Sequence, residues 1–567
     1  MATVVDTLQE RLVQALQLAG LPAEDRPQVV PATDRRHGDY QTNLAMVLAK
    51  AVKQNPRALA SQIVQGISFE DIGPQPEIAG PGFINFRLSG KFVGERLRQV
   101  ALDDRLGVAL SANPQTIVID FSSPNIAKPM HVGHIRSTIL GDALARVSRF
   151  LGHRVITDNH VGDWGTQFGK IVYGWKNLLE RTALTADPMG ELVRIYREAE
   201  VLSKSDAAVL SACREELVKL QQGDPANLEI WRESVALSTQ EFSRIYQMLD
   251  IRFDEQLGES YYNSRLPGVV EELLKRGIAE ESQGAIVAWD RSLSGDPMIL
   301  RKSDGGFSYA ATDIATLQFR AERWHPDAIW YVVGAPQQLH FRQLFSLARS
   351  LGYTVRLEHI AFGSILGEDR KLMRTRSGDS VPLKELLDEA IVRAATLVRE
   401  KNPHLSADDQ TAIGRVVGIG AVKYAELSQH RLTDYIFAWD KLLSLQGNTA
   451  PYLQNAYVRS RSIFRRLNEP FAMPEQLTLQ EEAEQALAKR LLQFGEAVPA
   501  ILDGFRPNVL ANYLYELAAE FHGFYEVCPV LSAEGHARGT RLALCDVFSR
   551  ILKTGLGLLG IEVPERM

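Results

Sequence analysis

The stretch from residue 116 to 159 constrains the fold more than any other. TIVIDF (116–121) is a short, β-branched apolar run of the kind that fills a buried strand. Apolar residues then follow helical spacing from about His131 to Leu151, and HRVITDN (153–159) reads as a second strand. Strand, helix, strand over this length is a βαβ unit, and a parallel sheet follows from it. Strand-like pieces return at AIVAWD (285–290), AIWYVVGA (328–335) and IAFGSI (360–365). Between the two groups, Val172 to about Asp250 reads as charged helix, as in ELVRIYREAEVL and CREELVKLQQ. The sheet is therefore expected in two parts, with an insertion at about 172–300.

The flanks read differently. Residues 1–108 suggest a small α+β domain: Leu8, Leu12 and Leu16 mark a helix, Leu44, Val47 and Leu48 another, and GPQPEIAGPGFINFRL leads into a short strand. ALSANPQ (109–115) is the expected boundary. The α/β domain, of Rossmann type, then spans 109–380. Residues 381–434 read as a connecting helical stem, and 435–567 as a helix bundle.

Composition sets bounds on partners. Lys plus Arg (63) against Asp plus Glu (69) gives a formal charge of -6, which excludes a polybasic binder but leaves room for a local basic face. The three cysteines, Cys213, Cys528 and Cys545, form no CxxC pair, so neither a disulfide framework nor a cysteine zinc site is expected, and a cytoplasmic setting fits. The first twenty residues read as an amphipathic helix and not a signal peptide. No apolar run approaches the roughly 18 residues of a membrane span.

The densest chemistry is SSPNIAKPMHVGHIRST (122–138), between the first strand and its helix. In open α/β sheets ligands bind at this carboxyl end. His131 and His134 share a face of the first helical turn, where free N–H groups and partial positive charge favour a phosphate. Gly133 lets a base or ribose approach the backbone, and Lys128 adds a mobile cation. HxGH alone would more often be two surface histidines; the strand–loop–helix setting weighs against that. GLGLLG (555–560) fits GxGxxG, but the chain ends seven residues later, so no βαβ unit can follow. There is no GxxxxGK[ST], HExxH or GxSxG.

HVGH resembles the HIGH motif of class I aminoacyl-tRNA synthetases, and the longer string resembles the arginyl-tRNA synthetases in particular. NHVGDWGTQFG (159–169), YAATDIA (309–315), VGAPQQLHF (333–341), GNTAPYLQNAYVR (447–459) and the terminal VPERM carry the same resemblance. It implies that Asp120, Tyr309 and Asp313 grip an arginine guanidinium, a planar fork of five donors. It implies that Asn125 and Gln337 (Gln338 is adjacent) hold the amino-acid backbone, and it assigns Gly133, Phe362 and Gly363 to the ATP site with His131, His134 and Lys128. The KMSKS loop of the class corresponds to KLMRTRSG (371–378), which departs from the pattern: Arg374 stands at the second lysine, followed by Thr375 and Arg376. In such enzymes a lysine upstream of HIGH, here Lys128, is thought to compensate.

The basic run AYVRSRSIFRRL (456–467) reads as a solvated helix face or an RNA contact. Tyr452, Tyr457 and Arg459 are candidates for the latter, and the resemblance adds Tyr525 and Met567 at an anticodon loop and Phe83 and Asn85 at the tRNA elbow. It further implies ATP as substrate, Mg²⁺ arriving with it and no fixed metal site, tRNA(Arg) and L-arginine as partners, and a monomer. The competing readings are a class I synthetase for another amino acid, a nucleotidyltransferase without tRNA, and a non-catalytic tRNA binder.

Overall fold

The computed structural model describes all residues except 23–26, 33, 290–296, 375–379 and 468. Two compact units emerge. One comprises Ser111–Ser444 with Leu558–Ile561; the other comprises Met1–Leu110, Leu445–Gly557 and Glu562–Met567.

The first unit is built on a four-stranded parallel sheet in the order Arg356–His359, Ala328–Tyr331, Thr116–Asp120, Arg154–Asp158. Its register is in step: Asp120 lies opposite Tyr331 on one side and Asp158 on the other. Two carboxylates and a phenol thus share one level at the sheet's carboxyl edge. The helix Val132–Phe150 crosses between the first two strands and is buried almost all round. The sheet is interrupted, as the sequence suggests, by helices: Arg181–Ala186, Pro188–Ser205, Ala207–Gln221 and Pro225–Met248. Asp187, Asp206 and Asp224 cap the last three, two of them followed by proline at the first helical position.

Two strand expectations need correction. AIVAWD does not join the parallel sheet. Ala285–Ala288 is the central strand of a separate antiparallel sheet with Ala279–Ser282 and Met298–Arg301. Only Gln283 and Gly284 join the first pair, both at positive φ (51° and 79°), a two-residue hairpin that permits antiparallel pairing alone. IAFGSI is also not one strand. The edge strand lies earlier, at Arg356–His359, where a half-exposed position tolerates charge. The chain leaves the sheet at Ile360, and Ile365–Leu366 pairs instead with Tyr435–Ile436.

In the second unit, an antiparallel sheet (Val30–Pro31, Tyr40–Thr42, Phe83–Phe86, Glu77–Ala79) carries the helices Val4–Leu18, Leu44–Val52, Pro56–Gln65 and Gly90–Leu102. The helices Ala450–Arg465, Glu482–Leu492 and Asn508–Val527 follow later in the chain. GLGLLG falls at the end of the helix Gly535–Leu558 and the turn after it, where Gly560 has φ 70°.

Candidate active site

The loop after the first strand is strained. Ser122, Ser123 and Ala127 all have positive φ without being glycine. The surroundings hold it there: the Ser122 amide donates to Ser137 Oγ (2.8 Å), the Ser123 amide to Asn159 Oδ1 (3.1 Å), and the Ala127 amide to Ser238 Oγ (3.0 Å) on an inserted helix. Strain of this kind is a mark of functional loops. Asn125 is seated over Gly162, where an added Cβ would lie 2.2 Å from its Oδ1.

The helix then starts at His131, and its two imidazoles are preset. His131 Nδ1 accepts from the Gly133 amide (3.0 Å), and His134 Nδ1 accepts from the His131 amide (3.1 Å). With both Nδ1 atoms accepting, each ring carries its proton on Nε2. The rings pack 4.0 Å apart. Burial, then the neighbouring His131, pushes His134 down to about 3, and burial with Lys128 lowers His131. Near neutral pH both are uncharged donors.

The segment after the degenerate loop returns to this point. The Val132 amide donates to Val381 O (3.0 Å) and the Leu383 amide to Met130 O (2.8 Å). On the helix's other side, Arg136 meets Glu426 (3.1 Å) and donates to Thr433 O (3.0 Å). Next to Thr433, Asp434 accepts from the Ser364 amide (2.5 Å), which anchors the segment that follows Phe362 and Gly363.

A cavity of about 540 Å³ opens at the sheet's carboxyl edge. Asp120, Asn125, Gly133, His134, Tyr309, Asp313, Gln337 and Phe362 all line it. One wall is acidic. Asp120 Oδ2 is held by Arg320 (2.6 Å), which also bridges Asp158 (2.8 Å), while Ser123 donates to Asp120 Oδ1 (3.1 Å). Arg320 is completely buried. Asp313 meets His340 Nε2 at 2.6 Å. Burial opposes charge on His340, but its bond to Asp313 raises its pKa overall. Burial, with Asp313 and Asp163 nearby, pushes Glu259 up to about 8. Tyr309, four residues before Asp313 on the helix Tyr309–Trp324, is 68% exposed.

Other expected residues lie outside the lining. His131 packs behind His134, and the Lys128 ammonium lies over the ring of Tyr196. Gly363 donates its amide to Arg431 O (2.9 Å). Arg374 is exposed and bridges Ser380, and Arg376 lies outside the described residues. In the other unit, Arg459 lies over the Tyr525 ring (5.4 Å), Tyr452 bonds His522 (2.9 Å), Phe83 is half-buried and Met567 partly exposed. Two RNA expectations require correction. Tyr457 is only 3% exposed, because it falls on the inner face of its helix with Leu453 and Ser460, and Asn85 is 5% exposed between Ile84 and Phe86. The Tyr457 ring presents no surface on which a base could stack, and Asn85 is not exposed in the free protein.

Sequence reasoning missed Arg320, Glu259 and His340. His340 was visible three residues after Gln337 in VGAPQQLHF, and Arg320 seven after Asp313 on one helix. Glu259 had no local signal.

A parallel sheet with an HxGH helix start and a cavity at its carboxyl edge is the arrangement of a class I aminoacyl-tRNA synthetase. Residues 96–439 match the family described as tRNA synthetases class I (R), catalytic domain; 6–88 match the arginyl tRNA synthetase N terminal domain, and 453–567 the DALR anticodon binding domain. The chain is 45% identical over 577 residues to the arginine–tRNA ligase of Edwardsiella ictaluri, covering all of both chains. The arginyl-tRNA synthetase structures of Plasmodium falciparum (28% identity, TM-score 0.86) and Thermus thermophilus (27%, 0.84) also match over the full length of both chains. The chain belongs to the arginyl-tRNA synthetase family.

Proposed function

We propose that the two ends of this one cavity divide the reaction between them, the acidic wall gripping a guanidinium and the helix start receiving a triphosphate. The chain is an arginine–tRNA ligase, which joins L-arginine to tRNA at the expense of ATP. Asp120, Tyr309 and Asp313 face the guanidinium, and Asn125 and Gln337 the amino and carboxylate groups. The arginine carboxylate attacks the α-phosphorus, pyrophosphate leaves, and the 2′-hydroxyl of the terminal tRNA(Arg) adenosine then takes the arginyl group, releasing AMP.

His134 Nε2–H, with His131 beside it, donates to the phosphates as their charge redistributes. Being neutral and already oriented, these donors need no reorganisation during the step. Lys128, Arg374 and Arg376 supply the positive charge, and Gly133, Phe362 and Gly363 shape the nucleotide site. The work is positioning and electrostatics. Mg²⁺ would arrive with ATP and offset the charge of its phosphates. Tyr452, Arg459, Tyr525 and Met567 are the candidate anticodon contacts, and Phe83 the candidate elbow contact. The enzyme works as a cytoplasmic monomer, and among the described residues no helix is long and apolar enough to cross a membrane.

The observation that carries this reading is the acidic wall and the histidine helix start lining one cavity. ATP–pyrophosphate exchange with each amino acid, with and without tRNA(Arg), tests it. Exchange specific for arginine and dependent on tRNA is expected. Exchange with another amino acid, or none, would overturn it.

A further inference from the structure

Lys128 is exposed, yet its ammonium has a seat. It lies 5.5 Å from the centroid of the Tyr196 ring, on the inserted helix Pro188–Ser205. The same half-buried ring receives Lys170 of the neighbouring helix Gln167–Asn177 at 5.9 Å. Glu200, one turn beyond Tyr196, meets Lys204 at 3.2 Å and Lys170 at 3.8 Å. The hydrogen bond from Lys204 above all, then the charges of Lys170 and Lys128, hold its carboxyl below the usual range. On its other side Lys128 is near enough to His131 for its charge to bear on that imidazole. One ammonium is thus held between the start of the histidine helix and an aromatic ring of the insertion.

We propose that Tyr196 is a positioning residue for Lys128: its ring, backed by Glu200, keeps the ammonium ordered beside the phosphate site before ATP arrives. The proposal rests on the reading of Lys128 as a phosphate-binding group. A lysine on a flexible four-carbon stem otherwise loses much rotamer freedom when it meets a ligand. An aromatic face attracts the cation electrostatically without consuming its hydrogen-bond donors, all three of which stay available to phosphate oxygens. Tyr196 packed only to hold the insertion together would show no dependence on Lys128.

The experiment is steady-state ATP–pyrophosphate exchange by the full chain, with ATP, arginine and tRNA(Arg) each varied in turn while the other two are saturating. Tyr196→Leu, which keeps bulk and removes the ring, is expected to raise the ATP KM about two- to fivefold, the range of a partly exposed cation–π contact. The KM values for arginine and tRNA and the Tm stay where they are. Tyr196→Phe keeps the ring and restores the ATP KM. In a Lys128→Ala background, Tyr196→Leu adds nothing further. An additive effect in that background, an unmoved ATP KM, or a change confined to the tRNA KM would overturn the proposal, the last making the ring an RNA contact. If Lys128→Ala itself leaves ATP kinetics unchanged, the reading of Lys128 falls first and the positioning role with it.

Discussion

The two ends of the cavity solve opposite electrostatic problems. At the acidic end, buried Arg320 bridges Asp120 and Asp158, and the half-buried Asp313 meets His340. At the histidine end, charge is kept out: burial holds His134 neutral, and backbone amides fix both rings as donors. A permanently charged guanidinium needs fixed acceptors, whose desolvation is already met in the folded protein. A triphosphate brings its own charge, so on the proposed reading preset neutral donors and a nearby ammonium, that of Lys128, suffice. Both ends are preset, one with charged acceptors and the other with neutral donors.

That contrast can be broken from either side. The largest effect is expected at Arg320. Arg320→Leu strands two buried carboxylates and should cost about 3–5 kcal/mol of stability, read by chemical denaturation. A loss below about 1 kcal/mol would mean that Asp120 does not depend on it. At the other end, His134→Ala removes one preset donor and should lower the rate of adenylate formation about 10²–10³-fold with the arginine KM little changed. Single-turnover kinetics would show this, and a pure KM effect would contradict it. Asp313→Ala should raise the arginine KM about 10- to 150-fold, the worth of a hydrogen bond to a charged group, while ATP binding stays intact. An unmoved arginine KM would remove Asp313 from the grip.

The smallest expected effect is on pH dependence. Burial, then Asp313 and Asp163, pushes Glu259 up to about 8, so below that pH it is protonated, and a guanidinium beside it favours the ionised form. Arginine binding then releases a proton, and the arginine KM should fall as pH rises toward about 8 and level off above it. Glu259→Gln should flatten the profile. A KM that rises over that range would place Glu259 outside the arginine contact.

Much of this was legible in the sequence because it is local. TIVIDF and the HxGH start declare themselves within a few residues, and the resemblance added the Tyr309–Asp313 pair. What stayed hidden depends on packing across long separations. Asp120 reads as a free ligand carboxylate, but its partner Arg320 lies 200 residues away. Glu259 follows the last of the inserted helices, Pro225–Met248, with no motif around it. RLEH (356–359) looks too charged for a strand because an edge position tolerates what a central strand does not. Tyr457 sits in a basic, RNA-like run, and only the inward face of its helix shows that the ring is core.

The most direct measurement is the ratio of kcat/KM for arginine to that for lysine and for citrulline, in tRNA-dependent exchange. Lysine keeps the charge without the fork, and citrulline keeps the plane without the charge. Each makes only part of the contacts that the acidic wall offers a guanidinium, so arginine should lead both by ~10⁴-fold or more. A lead of tenfold or less over either would show that the acidic wall does not read a flat cation.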